Sequence, residues 1–220
     1  MTAEPHVDYD VVPPYWGSTD LVTNWMGTAR FNLRPAPGGL ALVQDFLNTE
    51  AQPRGFSDLL ATASAARRWS ARAVRAWTRD REVQVREPVL TGAGVAELRR
   101  LRSIVEGLVT RGAAAVSLGD CGEITLSLSG RGELCWLPSG GGWRWWSAAV
   151  YAEILASQHH GTWFRLKQCA TATCRVVFYD RSWNNSAVLH SSTCASFAPR
   201  RYSLPSGDHQ ARACRNGHCP

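Results

Sequence analysis

The spacing of apolar residues between positions 37 and 162 predicts a body built mainly from helices. After a Pro-Gly-Gly turn, Leu40, Val43, Phe46 and Leu47 recur at intervals that place them on one face of a helix. Three later segments repeat this period, and their expected buried residues are Trp69, Val74 and Trp77; Val95, Leu98, Leu101, Ile104, Val105 and Leu108; and Trp146, Val150, Ile154 and Leu155.

A change of period in the middle of the chain predicts a small sheet. Short runs separated by turn-forming residues replace the helical pattern at Ala113–Leu118, Glu123–Leu128 and Glu133–Leu137. Such runs are typical of an antiparallel meander. The expected fold class is therefore α+β, with a helix-dominated body, a small antiparallel sheet and a small C-terminal module of different character.

The C-terminal module carries four potential metal ligands at close spacing. Cys169, Cys174, His190 and Cys194 follow the pattern C-x4-C-x15-H-x3-C. Zinc prefers four thiolate or imidazole ligands in a tetrahedron, and two closely spaced pairs suit this geometry. The second pair is expected on one helical face, and the apolar run between the pairs is expected to form a short hairpin. A module this small gains little from apolar burial, so bound Zn²⁺ explains how it folds.

The sequence leaves three other interpretations of these residues open. In the first, they are unrelated buried thiols and a surface histidine. In the second, the zinc is catalytic, with three protein ligands, an open position and Asp180 as a nearby acid. In the third, Cys214 or His218 from the tail, which also contains Cys219, replaces His190 as a ligand.

The net charge of +6 lies entirely in the C-terminal part of the chain. Residues 161–220 hold eight Lys and Arg side chains and two acidic ones, whereas residues 1–160 are neutral overall. A neutral body with a basic module favours a polyanionic partner, with nucleic acid as the first candidate. A basic surface that only keeps the protein soluble is the alternative.

Two stretches of the chain resemble a known bacterial family. One is similar to the CGNR-type zinc finger of stress-induced transcriptional regulators, through Cys169-x4-Cys174, Phe178, Asp180, Ser182, Asn184 and His190-Ser191-x2-Cys194. The other resembles the start of the ABATE domain that precedes this finger, through Leu40-x4-Asp45-Phe46-Leu47-Asn48-Thr49. The resemblance implies a treble-clef-like finger that binds DNA and a body that senses a signal or dimerises.

The chain departs from the family pattern at the finger. His190 stands where the family normally has its third cysteine ligand, an exchange that zinc tolerates. The name-giving Cys-Gly-Asn-Arg motif reads Cys194-Ala195-Ser196-Phe197 here, so its arginine is missing. Pro199 also disfavours a long basic helix after the motif. These departures leave zinc binding better supported than DNA binding.

The chain divides into four segments on this interpretation. Residues 1–36 are a proline-rich arm, and its tryptophans, Trp16 and Trp25, indicate that it packs on the body. Residues 37–162 are the ABATE-like body, 163–204 the zinc-finger module and 205–220 a tail with cysteine and histidine.

The first functional hypothesis is a DNA-binding transcriptional regulator. Arg175, Arg181, Arg200 and Arg201 would contact phosphates, while the zinc ligands only hold the shape of the finger. The body would sense a small-molecule ligand or form a homodimer. A module that docks a partner protein through the finger is a further hypothesis.

The alternative is an enzyme of small-molecule metabolism on the same scaffold, with a pocket between body and finger. Asp45 and Asn48, which lie on an otherwise apolar helix, would line this pocket. A buried Asp or Asn in such a place is more often a hydrogen-bonded structural residue. The sequence lacks a Gly-rich phosphate loop, HExxH and Gly-x-Ser-x-Gly, so whether the chain is an enzyme stays open and no catalytic residue is assigned.

The location of the protein is expected to be cytoplasmic. No run of about 18 apolar residues occurs, so a membrane partner is not expected. The first residues are acidic and contain proline, unlike a signal peptide. In the cytoplasm, the seven cysteines are expected to be metal ligands or free thiols.

Overall fold

The computed structural model describes residues 25–53, 55–110, 121–128 and 132–195. Several predicted features lie outside these ranges, namely Trp16, the strand Ala113–Leu118, Arg200, Arg201, Cys214, His218 and Cys219. The described helices are α1 (Met26–Ala29), α2 (Leu40–Leu47), α3 (Ala63–Asp80), α4 (Gly92–Val109), α5 (Trp143–His159) and α6 (Ser192–Ala195), with a 3-10 turn at Trp163–Arg165. The described strands are β1 (Ile124–Leu128), β2 (Leu134–Pro138), β3 (Leu166–Gln168) and β4 (Val177–Tyr179).

Helix α2 lies at the centre of the body. It contacts helices α1, α3, α4 and α5 and also strand β4. All eight of its residues are buried, including Gln44 and Asp45, rather than only the one face that the sequence predicts. A helix surrounded on every side must satisfy its polar side chains internally, because water cannot reach them.

The two long helices before the sheet begin at capping threonines. The side chain of Thr62 accepts a hydrogen bond from Ala65 N at 3.1 Å, and that of Thr91 accepts one from Gly94 N at 3.1 Å. Each cap satisfies one of the backbone N–H groups that a helix start leaves without an intrahelical partner. Helix α3 therefore begins at Ala63, and the preceding Ser57–Ala61 stretch is not helical.

Helix α5 has the predicted limits but not the whole predicted stripe. Trp146, Val150 and Ile154 are buried, whereas Leu155 is 68% exposed, so its assignment to the core was wrong. Leu155 is nine positions after Trp146, and at about 100° per residue this places the two side chains on opposite sides of the helix. Trp145 and Trp146 instead pack against Trp77 and Trp69, with ring centroids 5.6 and 4.4 Å apart.

Strands β1 and β2 form a two-stranded antiparallel sheet, with Leu126 opposite Trp136. Trp136 joins this hairpin to the body, since its ring lies 4.1 Å from the Arg81 guanidinium carbon and 6.1 Å from the Trp77 ring. Strands β3 and β4 form a second antiparallel sheet, with Lys167 opposite Phe178. The predicted α+β class is confirmed as a helix-rich chain with two small antiparallel sheets and a C-terminal Cys/His cluster.

The N-terminal part of the described chain is packed into the body. Trp25 and Ala36 are buried members of the main apolar cluster. Among the described residues, no helix is both long enough and apolar enough to cross a membrane.

Candidate metal centre

The first pair of cysteines lies on the turn that joins β3 to β4. Cys169 N donates to Val176 O at 2.9 Å, and Cys174 N donates to Thr171 O at 2.8 Å, so the chain folds back sharply between the two thiols. The hairpin therefore encloses this pair. The prediction of a hairpin between the two ligand pairs was wrong, because the apolar run after Cys174 pairs with residues that precede Cys169.

The second pair comes from a bend followed by one helical turn. Cys194 lies on α6, whereas His190 precedes that helix, so the prediction that both occupy one helical face was wrong. The Ser191 hydroxyl accepts a hydrogen bond from Cys194 N at 3.3 Å, which is an N-terminal cap. The Thr171 hydroxyl donates to Cys194 O at 3.3 Å and so joins the two halves of the cluster.

The four predicted ligands lie together. Their Sγ atoms and a ring nitrogen of His190 are all within 4.8 Å of one another, and Cys174 Sγ lies 3.5 Å from His190 Nδ1. Tetrahedral zinc with Zn–S bonds of about 2.3 Å separates its ligand atoms by about 3.8 Å, so small side-chain movements would close this cluster around the ion. Three thiols and one imidazole fit Zn²⁺, and four protein donors complete a structural site.

The crowding of three thiols within 4.8 Å of one another also favours a cation at this place. Burial has the largest effect on the Cys174 thiol and raises its pKa to about 12, with the neighbouring Cys169 and Cys194 sulfurs adding to the effect. Thiols crowded in this way cannot all ionise without a positive charge between them. A zinc ion would supply that charge and hold the ligands as thiolates.

Asp180 is a structural residue in this geometry and lies outside the group of four potential ligands. It is 1% exposed, and its Oδ2 accepts hydrogen bonds from Lys167 Nζ at 2.7 Å and Ala187 N at 2.8 Å. Its Oδ1 accepts from the Ser182 backbone and hydroxyl. Burial acts to raise the Asp180 pKa, but the hydrogen bonds from Lys167 and Ser182 together outweigh it and lower the pKa. Asp180 is thus engaged on both oxygens and is not among the grouped ligands, which argues against its role as the acid of a catalytic zinc.

The finger is joined to the body by the side chain of Asn48. Its amide donates to Val177 O at 2.8 Å, and its carbonyl accepts from Val177 N at 2.8 Å. The amide therefore pairs with β4 in the way that a neighbouring strand would. Asn48, predicted to line a pocket, lies fully buried at this junction.

An ionic bridge also crosses from finger to body, through Arg175. Its guanidinium contacts Glu106 in a paired arrangement, with Nε 2.9 Å from Oε1, and its Nη1 lies 2.7 Å from Glu50 Oε1. Its backbone N–H donates to Gln52 Oε1 at 2.9 Å. Arg175, predicted to contact phosphate, is thus held by acidic side chains of the body.

The remaining predicted phosphate contacts are only partly described. Arg181 is exposed, and its Nη2 donates to Pro35 O at 2.6 Å. Arg200 and Arg201 lie outside the described residues, as do the tail residues proposed as replacement ligands. These assignments therefore stay predictions.

Asp45, the second predicted pocket residue, is fully buried between α1 and α3. Its Oδ1 accepts from Thr28 N at 2.7 Å, and its Oδ2 accepts from Trp69 Nε1 at 2.8 Å. Burial raises its pKa to about 6, although the hydrogen bonds from Thr28 and Trp69 act in the opposite direction. These contacts are those of a buried, hydrogen-bonded structural residue, which is the alternative to a pocket residue that the sequence left open.

A groove of about 660 Å³ lies between the end of α4 and the cysteine turn. Val109 and Thr110 line it from the body, and Lys167, Ala170 and Thr171 line it from the finger. Neither Asp45 nor Asn48 is among its lining residues.

Three residues that build this region belong to no motif in the sequence. Lys167 organises the loop after β4, and Glu50 and Glu106 bind Arg175. For Lys167, the sequence offered one signal, since it is the only lysine in an arginine-rich chain. The glutamates carry no local signal, because their partner is 69 residues away from Glu106 in the sequence.

Residues 165–201 match the family model described as the CGNR zinc finger. This range includes all four residues of the Cys/His cluster. Zinc binding by this part of the chain is thus supported both by the family match and by the geometry of the cluster. No curated protein matches the chain.

Proposed function

We propose that the chain is a zinc-stabilised, DNA-binding transcriptional regulator whose body senses a ligand or dimerises. The observation that carries this proposal is the placement of charge: the basic excess of +6 falls on residues 161–220, which contain the finger, whereas residues 1–160 are neutral overall. Duplex DNA attracts such a surface because cations displace its condensed counterions. The match to a zinc-finger family is compatible with this partner.

In this proposal the arginines of the finger have different roles. Arg175 is already paired with Glu50 and Glu106, so a phosphate would have to compete with two carboxylates for it. Arg181 is exposed and contacts a backbone carbonyl, which a phosphate would displace at lower cost. We assign phosphate contact chiefly to Arg181, Arg200 and Arg201, and we assign Arg175 to the junction between finger and body.

The decisive experiment is a DNA titration of the zinc-loaded full chain by fluorescence anisotropy, at about 50 and 200 mM salt. We expect micromolar or tighter binding that weakens steeply with salt. Arg181→Gln should weaken binding and reduce the salt slope by about one counterion. Arg72→Gln removes the same charge from an exposed position of α3 and is the control. Binding that is absent at both salt concentrations would refute the proposal.

A second candidate is an enzyme or binding protein for a small metabolite. The groove of about 660 Å³ beside the cysteine turn favours it, because its volume falls within the range of small-molecule sites. A metabolite that raises the melting temperature of a chain without DNA affinity would favour this candidate. Thr110→Trp, which would fill the groove from its body side and leave the cysteine turn unchanged, should abolish that stabilisation.

A further inference from the structure

Trp183 lies on the surface of the finger with almost its whole side chain in solvent. It is 94% exposed, whereas Trp25, Trp69, Trp77, Trp145, Trp146 and Trp163 are all buried. Tryptophan is the largest apolar side chain and is seldom left in water without a partner for its ring. A side chain of this kind on a well-built loop indicates a contact surface.

The loop that presents Trp183 is held in place by the buried Asp180. Both carboxylate oxygens of Asp180 are used, with Ser182 on one and with Lys167 and Ala187 on the other. Lys167 Nζ also donates to Asn185 O at 2.6 Å and to Ala187 O at 3.1 Å. The lysine and the aspartate thus fix both sides of the loop.

Further hydrogen bonds fix the residues on either side of Trp183. Arg165 Nη1 donates to Ser182 O at 2.8 Å, and Asn185 Nδ2 donates to Phe164 O at 3.3 Å. The Ser182 hydroxyl accepts from Ser186 N at 3.0 Å and closes the turn. The backbone of Trp183 is therefore ordered before any ligand binds, which reduces the entropy lost on binding.

The surroundings of Trp183 are basic. Asp180 is the one acidic residue in the sequence from 161 to 195, and it is buried and paired with Lys167. Arg181 precedes the loop, and its Nη2 donates to the carbonyl of Pro35 at 2.6 Å, which brings it to the segment that contains Arg34. Arg165 contacts the start of the loop, where its Nη1 donates to Ser182 O. A partner that meets this surface would combine negative charge with flat apolar faces.

We propose that Trp183 is a stacking platform for an unstacked nucleobase, in single-stranded DNA or in a locally opened duplex, with Arg34, Arg165 and Arg181 near its phosphates. Single-strand binding sites combine aromatic side chains with cationic surroundings in this way. An apolar protein partner fits the ring but not the charge around it. The inference rests on the proposed function and specifies the form of nucleic acid that the finger binds.

The test uses the zinc-loaded full chain and three DNA probes of equal length, about 15 nucleotides: a single strand, its duplex and a duplex with a central mismatch bubble. We expect the single strand and the bubble to bind more tightly than the duplex. Trp183→Ala should weaken binding to these two probes roughly 5- to 100-fold. Trp183→Phe keeps an aromatic face and should retain most of the affinity, whereas Trp183→Leu keeps apolar area alone and should behave like Trp183→Ala.

Leu155→Ala is the matched control, because it removes an exposed apolar side chain from α5 and should change affinity less than about twofold. The variants at Trp183 should keep wild-type zinc content and melting temperature, since the ring contributes little to the core. Wild-type affinity in Trp183→Ala, with DNA binding otherwise intact, would overturn the stacking role and leave the proposed function standing. Wild-type affinity in Trp183→Leu would indicate an apolar contact instead of stacking and would also overturn it. Failure of every probe to bind the wild type would refute both proposals together.

Discussion

Replacing Asn48 with alanine should destabilise the whole protein. The Asn48 side chain makes two buried hydrogen bonds of 2.8 Å to the backbone of Val177. Without them, the Val177 N–H is left without its acceptor, at a cost of about 1–3 kcal/mol. The Val177 carbonyl loses the hydrogen bond from Asn48 but keeps a weaker contact with Gln44 Nε2 at 3.4 Å. Loss of the Asn48 bond to this carbonyl therefore adds only about 0.5–1.5 kcal/mol. We therefore expect a decrease of about 2–4 kcal/mol in the free energy of unfolding.

Urea unfolding of the zinc-loaded protein, followed by tryptophan fluorescence and circular dichroism, measures this decrease. It corresponds to a fall in melting temperature of roughly 5–15 °C for a chain of this size. Gln158→Ala removes the same amide from an exposed position on α5 and should change stability by less than about 0.5 kcal/mol. Asn48→Asp keeps an acceptor for Val177 N–H but sets a carboxylate against Val177 O, so it should be at least as unstable as the alanine variant at neutral pH. An Asn48→Ala protein within about 0.5 kcal/mol of wild type would refute the assignment of Asn48 to the junction.

Three further predictions concern the metal, the ionic bridge and the buried carboxyl. Metal analysis should find one zinc per chain, and Cys174→Ala should lose it, because three remaining donors bind more weakly than four; retention of full zinc content would contradict the ligand set. Glu106→Ala should lower stability by only about 1 kcal/mol, since its partner Arg175 is half exposed, and Glu97→Ala on the same helix is the control. Because burial raises the folded pKa of Asp45 above its unfolded value, its contribution to stability should be greatest below about pH 4 and should decrease as the pH rises to about 6. The difference in unfolding free energy between wild type and Asp45→Asn should therefore change across this window and stay constant above it; a difference that is the same at all pH values would contradict the raised pKa.

The helices could be predicted from the sequence because their signal is local. Trp69 and Trp77 in α3, and Val95, Leu98 and Val105 in α4, repeat with the helical period, and each lies in the core. The prediction failed at Leu155 because hydrophobicity alone assigned it to the stripe, although its angular position does not fit. It was also incomplete for α2, because its apolar period marks only one face, whereas the polar Gln44 and Asp45 are buried as well. Helices that are distant in the sequence pack around these side chains and bury them, and the local spacing of apolar residues cannot predict such packing.

The zinc cluster was predictable for a related reason. Its two ligand pairs have short spacings, and a turn or one helical turn is enough to bring each pair together. The secondary structure around these ligands was not predictable in the same way. Strand β3 lies before Cys169 and pairs with β4, which lies after Cys174, so the hairpin encloses the first ligand pair. The junction with the body could not be predicted from the sequence. Asn48 and Val177 are 129 residues apart, and an isolated asparagine gives no indication of which backbone group it will pair with.

Strand β4 belongs to the metal centre and to the body at once. Val177 lies in the same buried cluster as Leu42 and Trp146, and Leu166 of the partner strand joins it there. On the ligand side, the carbonyl of Val176 accepts the hydrogen bond from Cys169 N that shapes the cysteine turn. A change that moves β4 must therefore disturb both the α2 junction and the cysteine turn, because one short strand carries both sets of contacts. Zinc binding and folding of the body are then thermodynamically linked: an ion that binds only the folded finger also stabilises the body, and a ligand that stabilises the body raises the affinity for zinc. In the regulator that we propose, this linkage would be a physical route by which a signal received in the body reaches the surface proposed to bind DNA.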